Sequence, residues 1–472
     1  MLRPIRAVQH AHMEERLPPV LANRSFRLLW LAQIISQTAQ NAILYALIIL
    51  VLELTESAIS TSVIVLFFVV PTVLFGVFSG VLVDRWSKRQ LLILTNAGRA
   101  VCALAFFFGR DYVWALYGVT ILFSSFSQLF TTSNAASIPF MVERRQLISA
   151  NSLFSGGFTI AQIAGLIIIS PAILILAGHG AVFITAAAAF LVASFLARFL
   201  PYIGSDGGEE ADHTFPSWQE LRGAIAEFPK ALRILRADSQ SALAMGHIMT
   251  SSTLILLFAV LVPRYMQAIL QVPPKSTVTV FAPVAVGALV GLRAVPLMVA
   301  RLGKTRTVAL GMFGIALCLM GMGFIEIIAY GLEQTERLNP FGTERVFGLS
   351  ILVALTMLFS GPLGFSYAML NTPAQTTLHE RIPVDMRGRV LASQMVLANG
   401  VALIPLVVAG GIADLYGVSS VILAIGVLVA IGGALSLYLD QRWLHHEGGQ
   451  PPSSDGGAGH WERQVSRSID TV

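Results

Sequence analysis

The sequence predicts an all-α membrane protein: twelve transmembrane helices in two six-helix halves. Three observations predict it. Of 472 residues, 55% are hydrophobic and 12% charged, about half the charged fraction of a soluble globular chain, and the mean hydropathy is +0.73. The apolar residues fall into twelve runs, each near the ~20 residues a helix needs to cross the hydrocarbon core. The basic residues between those runs alternate in density from one side to the other. Such a composition excludes a water-soluble enzyme and names the lipid bilayer as the surrounding medium.

Residues 1–25 contain several arginines with His10 and His12 but no apolar stretch of the kind a cleaved signal carries, so they form a cytoplasmic N-terminal segment. The first half covers 26–200, with spans at 26–52, 58–83, 91–109, 112–136, 149–176 and 180–200. Residues 201–239 are the longest polar interval between spans, opening on Gly-Ser-Asp-Gly-Gly-Glu-Glu at 204–210 and carrying an amphipathic helix from Trp218 to Arg236. The second half covers 240–440, with spans at 240–262, 276–300, 306–330, 346–370, 389–413 and 418–438. The tail, 441–472, turns Gly-, Pro- and Ser-rich, a composition that buries too little apolar surface to order itself.

With both termini in the cytoplasm, 24 lysines and arginines lie on the inner side and 5 on the outer, the asymmetry that orients membrane proteins. An odd number of spans would destroy that sorting. The net charge of +5 is thus an orientation signal, and without a basic stripe no nucleic-acid partner is expected. Cys102 and Cys318, the only two cysteines, sit inside apolar runs and offer neither a disulfide framework nor a metal cluster. Gly303-Lys304-Thr305 has Met298 where a phosphate-binding loop needs glycine. No metal, cofactor or nucleotide motif is read, and a monomer is expected.

An internal repeat at an offset of 216 pairs Arg85 with Arg301, Lys88 with Lys304 and Cys102 with Cys318. A second correspondence links Asn134 to Pro139 with Asn371 to Pro383. Two parallel repeats enclosing a midplane cavity are the architecture this implies.

At this point the chain resembles the major facilitator superfamily. Gly80-Val-Leu-Val-Asp84-Arg85-Trp-Ser-Lys88-Arg89 is similar to its signature between helices 2 and 3, G-x-x-x-D-R-x-x-[KR]-[KR]. Asn23 to Trp30, Ile138-Pro139 with Ala150-Asn151, and Pro383 to Val390 are similar to an efflux branch that holds enterobactin exporters, macrolide efflux proteins and transmembrane secretion effectors. The likeness covers about residues 20–440. It implies that Asp84 contacts the start of span 11, around Arg387, Gly388 and Arg389, and that a basic residue of the loop pairs with Glu143 after span 4. Without the family, the same cluster reads as a topological anchor among lipid headgroups.

Inside the membrane, Gln33, Gln37, Gln40 and Asn41 share one face of span 1 at helical spacing. Four amides facing lipid would be costly, so they face a cavity or another helix. Gln128 in span 4, Gln162 in span 5, His247, Thr250 and Ser251 in span 7 and Asn399 in span 11 are further cavity candidates, each also compatible with plain interhelical bonding. Arg99 and Arg293 are cations within spans, which are rare and mark function by default; Arg99, too deep to snorkel easily, is alternatively a partner in helix packing, and Arg293 is near enough to an end to snorkel. No carboxylate lies at mid-span, and His247, about eight residues into span 7, is the one deep group with an ordinary pKa near 6.5. The antiporter subfamilies show a Gly-Pro pair in helix 5, where this chain has Gly165-Leu166. The expectation is a secondary active transporter exporting a small amphipathic molecule of drug, macrolide or siderophore type from the plasma membrane, with protons as coupling ion. Lipid or metabolite transport, or uniport without protons, is the alternative.

Overall fold

The computed structural model describes residues 20–143, 146–202, 238–273, 277–334, 345–346, 349–381 and 387–446. The expected linker helix, the segment before Val20 and the tail beyond His446 lie outside the described residues. Spans 1 to 4 are helices Arg24–Thr55, Ala58–Arg85, Lys88–Gly109 and Val113–Ser137. Asn23 starts the first by accepting from the amides of Ser25 and Phe26, while its own amide donates to the Met141 carbonyl at 2.7 Å. That one side chain satisfies orphan donors at a helix start and ties span 1 to the segment after span 4.

Span 5 is the least regular. It begins as Leu147–Ile163, continues through a π segment, Ala164–Ile169, and passes into the helix Ser170–Ala197. Gly178 breaks that helix with φ 77° and ψ −178°, a conformation open to glycine, so span 5 ends and span 6 begins there. Eleven described helices are long and apolar enough to cross a membrane; the twelfth span is Leu147–Ile163 with its π continuation. The π segment sits where span 5 presses on span 1. A methyl on Gly165 would lie 2.9 Å from Asn41 Cβ and closer still to the Thr38 carbonyl, and Ser170 donates to the Ala42 carbonyl at 2.8 Å.

The second half repeats the first with spans 7 to 12 at Ser239–Ala268, Thr277–Leu302, Lys304–Gly323, Ile351–Arg381, Arg387–Tyr416 and Val418–His446. Span 9 is shorter than the expected 306–330. It stops at Gly323, whose added methyl would lie 2.5 Å from Leu423 Cγ of span 12, and a separate helix, Ile325–Gln334, follows, then a ladder of Arg345–Val346 with Leu349–Ser350. The low helix propensity of a glycine fixed there by close packing accounts for the break. Span 12 runs on to His446, six residues into the stretch expected to be tail.

Packing follows the repeat. Span 1 rests on 5 and 6, span 3 on 4 and 6, span 2 on 4; their counterparts pair as 7 with 11 and 12, 9 with 10 and 12, and 8 with 10. The halves meet through span 2 against 11, spans 1 and 2 against 7, and the π segment against 8. Buried rings fill the first half: Phe106 stands 5.8 Å from Phe123 and 5.6 Å from Phe183, and Phe123 lies 5.8 Å from Phe190. Leu74, Phe108, Trp114, Leu176, Leu317 and Leu428 point outward and are each more than half exposed. So much outward apolar surface suits lipid rather than water.

Candidate functional site

Arg99 is the twelfth residue of the 22-residue span 3, hence near mid-depth, and it is fully buried. Its Nη1 donates to Gln40 Oε1 at 3.0 Å and its Nη2 to Asn96 Oδ1 at 2.8 Å and to the Ser36 hydroxyl. Ser36 in turn donates to Asn96 Oδ1 at 2.7 Å. The guanidinium carbon lies 4.1 Å above the Phe130 ring and 4.7 Å above Phe190. No carboxylate pairs with it among the described residues. Neutral acceptors and two ring quadrupoles therefore hold a cation whose desolvation costs several kcal/mol.

The amide face of span 1 divides. Gln40 turns to Arg99, while Gln33 donates to the Phe154 carbonyl of span 5 at 3.2 Å and Asn41 to the Gln37 carbonyl at 2.8 Å. Gln33 Oε1 and Gln37 Oε1 are buried and accept nothing from the protein, and the same holds for the hydroxyls of Ser124 and Ser127 on span 4. A buried acceptor left unmet costs about 1–3 kcal/mol, so these four groups on spans 1 and 4 carry an unmet hydrogen-bonding demand. Gln128, half-buried, donates weakly to Thr132 at 3.4 Å, beside the Ser79 hydroxyl of span 2. Gln162 and Asn399 are half-buried on spans 5 and 11.

In the second half His247 Nε2 and the Ser436 hydroxyl are 2.9 Å apart, both buried between spans 7 and 12. Ser251 donates to Asn371 Oδ1 of span 10 at 3.1 Å, and Thr250 bonds the Gly246 carbonyl within its own helix. Arg293 is exposed on span 8, flanked by exposed Leu292 and Val290; it joins none of these groups. The candidates thus form one network around Arg99 and several smaller ones, not a single pocket.

At the signature loop, Asp84 and Arg85 end span 2 and Lys88 opens span 3. Lys88 is buried with its ammonium 4.9 Å above the Phe140 ring, and Arg89 donates to the Arg198 carbonyl at 2.6 Å. Gly80 has open space at its α-carbon. Arg387, Gly388 and Arg389 are the first residues of span 11, but their side chains lie outside the described residues. Glu143 is exposed and makes no ion pair among the described residues. Its repeat-related arrangement does form: Lys304, the counterpart of Lys88, pairs with Glu380 at the end of span 10.

Sequence reasoning missed Ser36, Asn96, Phe130 and Phe190 around Arg99. Helical spacing offered a clue for two, since Ser36 precedes Gln40 by four residues and Asn96 precedes Arg99 by three. It also missed Asp414 near the end of span 11. That carboxylate accepts from Ser57 Oγ at 2.8 Å and from the amides of Ala58 and Ile59 at 2.9 and 3.0 Å.

A family model described as Major Facilitator Superfamily matches residues 29–405. The chain is similar to an uncharacterised MFS-type transporter, YfiS, of Bacillus subtilis (strain 168), 24% identical over 402 residues, covering 84% of this chain and 88% of that one. Among solved structures it is similar in fold to the POT family transporter PepTSo (TM-score 0.66, 11% identity, 90% of this chain and 99% of that one). The nucleoside transporter NupG (TM-score 0.62, 13% identity, 88% and 99%) and a bacterial homologue of the iron transporter ferroportin in an inward-facing state (TM-score 0.61, 16% identity, 88% and 98%) are similar in the same way.

Proposed function

The chain belongs to the Major Facilitator Superfamily and is a membrane transporter of that type; from this premise we propose that it exports a small amphipathic molecule across the plasma membrane by alternating access. The observation that carries the reading is the set of unmet buried polar groups on spans 1 and 4, Gln33 Oε1, Gln37 Oε1 and the hydroxyls of Ser124 and Ser127, in a half whose packing is rich in buried phenylalanine rings. Amides offer hydrogen bonds to a polar group and rings offer area to an apolar one. Outward direction rests on the efflux-branch likeness of Asn23 to Trp30 and Pro383 to Val390. The 24 to 5 basic asymmetry supports both termini in the cytoplasm, and the protein works as a monomer, each copy carrying both halves of the cavity.

Cells with and without the protein, given a panel of labelled drugs, macrolides and siderophores, should differ in the accumulation of at least one compound. Asp84→Asn should restore accumulation while leaving abundance in the membrane unchanged, since Asp84 holds the cytoplasmic ends of spans 2 and 11. Parental export by Asp84→Asn would reduce the signature loop to an anchor. Identical accumulation across the whole panel would remove the export reading.

A second reading, uniport without protons, is favoured by one feature: every Asp and Glu among the described residues stands at or near a helix end or in a loop. His247, the histidine set within span 7, is engaged by Ser436 between spans 7 and 12. Under this reading cargo efflux from proteoliposomes ignores an imposed pH gradient in the parent and in His247→Ala alike. If the gradient response disappears in His247→Ala while downhill exchange persists, histidine is the coupling group. Should the parent itself ignore the gradient, the uniport reading stands.

A further inference from the structure

Spans 2 and 11 run side by side in opposite directions, so each end of the pair joins the start of one helix to the finish of the other. The signature glycine and aspartate, Gly80-Val-Leu-Val-Asp84, finish span 2. Span 11 finishes on the same spacing: Gly410-Gly411-Ile412-Ala413-Asp414. Here the contacts are described in full. Both carboxylate oxygens of Asp414 are engaged by the start of span 2, through the Ser57 hydroxyl and the amides of Ala58 and Ile59 at 2.8 to 3.0 Å. Arg264, on span 7, stands 3.9 Å from the same carboxylate. Gly410 allows the approach, because a methyl there would meet the Ala58 carbonyl at 2.9 Å and the Ser62 hydroxyl closer still.

Three donors from one half converging on one carboxylate of the other is more than helix packing requires. The amides are orphan donors of a helix start, and the positive end of the span 2 dipole points at the same atoms. Asp414 belongs to the second half and Ser57 to the first. The bond therefore crosses the seam that must open if the halves rock apart. It lies at the end opposite the chain termini, whereas Asp84 lies at the termini end.

We propose that Asp414 is a latch that closes the extracellular side of the transporter, the counterpart at the far end of spans 2 and 11 of the Asp84 loop. It rests on the transporter reading for its purpose, but its geometry is tested without cargo. Holding the far end closed favours the state open to the cytoplasm, and releasing it shifts the population toward the outward-open state. Arg264 contributes less, since its separation from Asp414 exceeds hydrogen-bond length.

The test uses the full chain in lipid nanodiscs, with Cys102 and Cys318 replaced by alanine and spin labels on Tyr112→Cys and Tyr416→Cys, both exposed at the far end. The parent should give a distance distribution dominated by one short population. Asp414→Ala should raise the ratio of long to short distances by about tenfold, the scale of a lost helix cap plus a lost charge. Asp414→Asn and Ser57→Ala should give smaller shifts in the same direction, and they carry the test if Asp414→Ala fails to fold. Distributions that superimpose on the parent for all folded variants overturn the latch. A shift in distances with no cargo exported by the parent leaves the latch standing and overturns only the export reading.

Discussion

Arg99→Met should cut export sharply while leaving the protein folded. The expectation follows from two opposing magnitudes. Three hydrogen bonds to neutral acceptors and two ring contacts each return roughly 0.5–3 kcal/mol. Burying the cation without a counter-charge costs several kcal/mol. The sum is near balance, so an apolar side chain of similar length should keep stability within about 1–2 kcal/mol of the parent. Arg99→Ala should instead lose about 3 kcal/mol or more, because the space between Phe130 and Phe190 empties. A fixed charge that stability does not require is expected to serve transport. We expect export by Arg99→Met to fall at least ~10-fold, a change of about 1.4 kcal/mol in the barrier. Melting followed with a thiol-reactive fluorogenic dye suits this protein, since Cys102 and Cys318 are buried and become reactive only on unfolding. Parental export by a stable Arg99→Met would make the arginine a packing residue. Loss of the folded protein would make it a structural one.

The other large effect is expected at Gly287. Spans 8 and 10 approach there until backbone meets backbone: a methyl on Gly287 would lie 2.8 Å from the Gly361 carbonyl carbon and 3.1 Å from the Phe365 nitrogen. Backbone cannot rotate aside as a side chain can. Gly287→Val must therefore separate the two helices, at a cost of about 3 kcal/mol or more. Gly246→Ala, on span 7, adds its methyl to open space and should melt as the parent does. Equal melting of Gly287→Val and Gly246→Ala would show that the contact between spans 8 and 10 yields easily.

Class and layout were legible from composition and hydropathy. A hydrocarbon core of fixed thickness turns composition into helix count, and Lys/Arg asymmetry into an expected orientation, so runs read from hydropathy fall on the observed helices. Boundaries drifted where hydropathy is silent. Span 9 ends early at Gly323, which packs against a side chain of span 12, and span 5 changes to a π segment where Gly165 lies against the Thr38 carbonyl of span 1. Arg99 was legible as a rare charge in an apolar run. That its partners are Ser36, Asn96 and Gln40 was not, because helical periodicity places residues on a face without saying which neighbour that face meets. His247 and Ser436 illustrate the same limit across 189 residues of chain. Asp414 illustrates it most sharply. In the sequence it is one more acid at the end of a span; only the tertiary structure, by setting span 11 against the start of span 2 from the other half, supplies the unpaired backbone amides that give its carboxylate a partner.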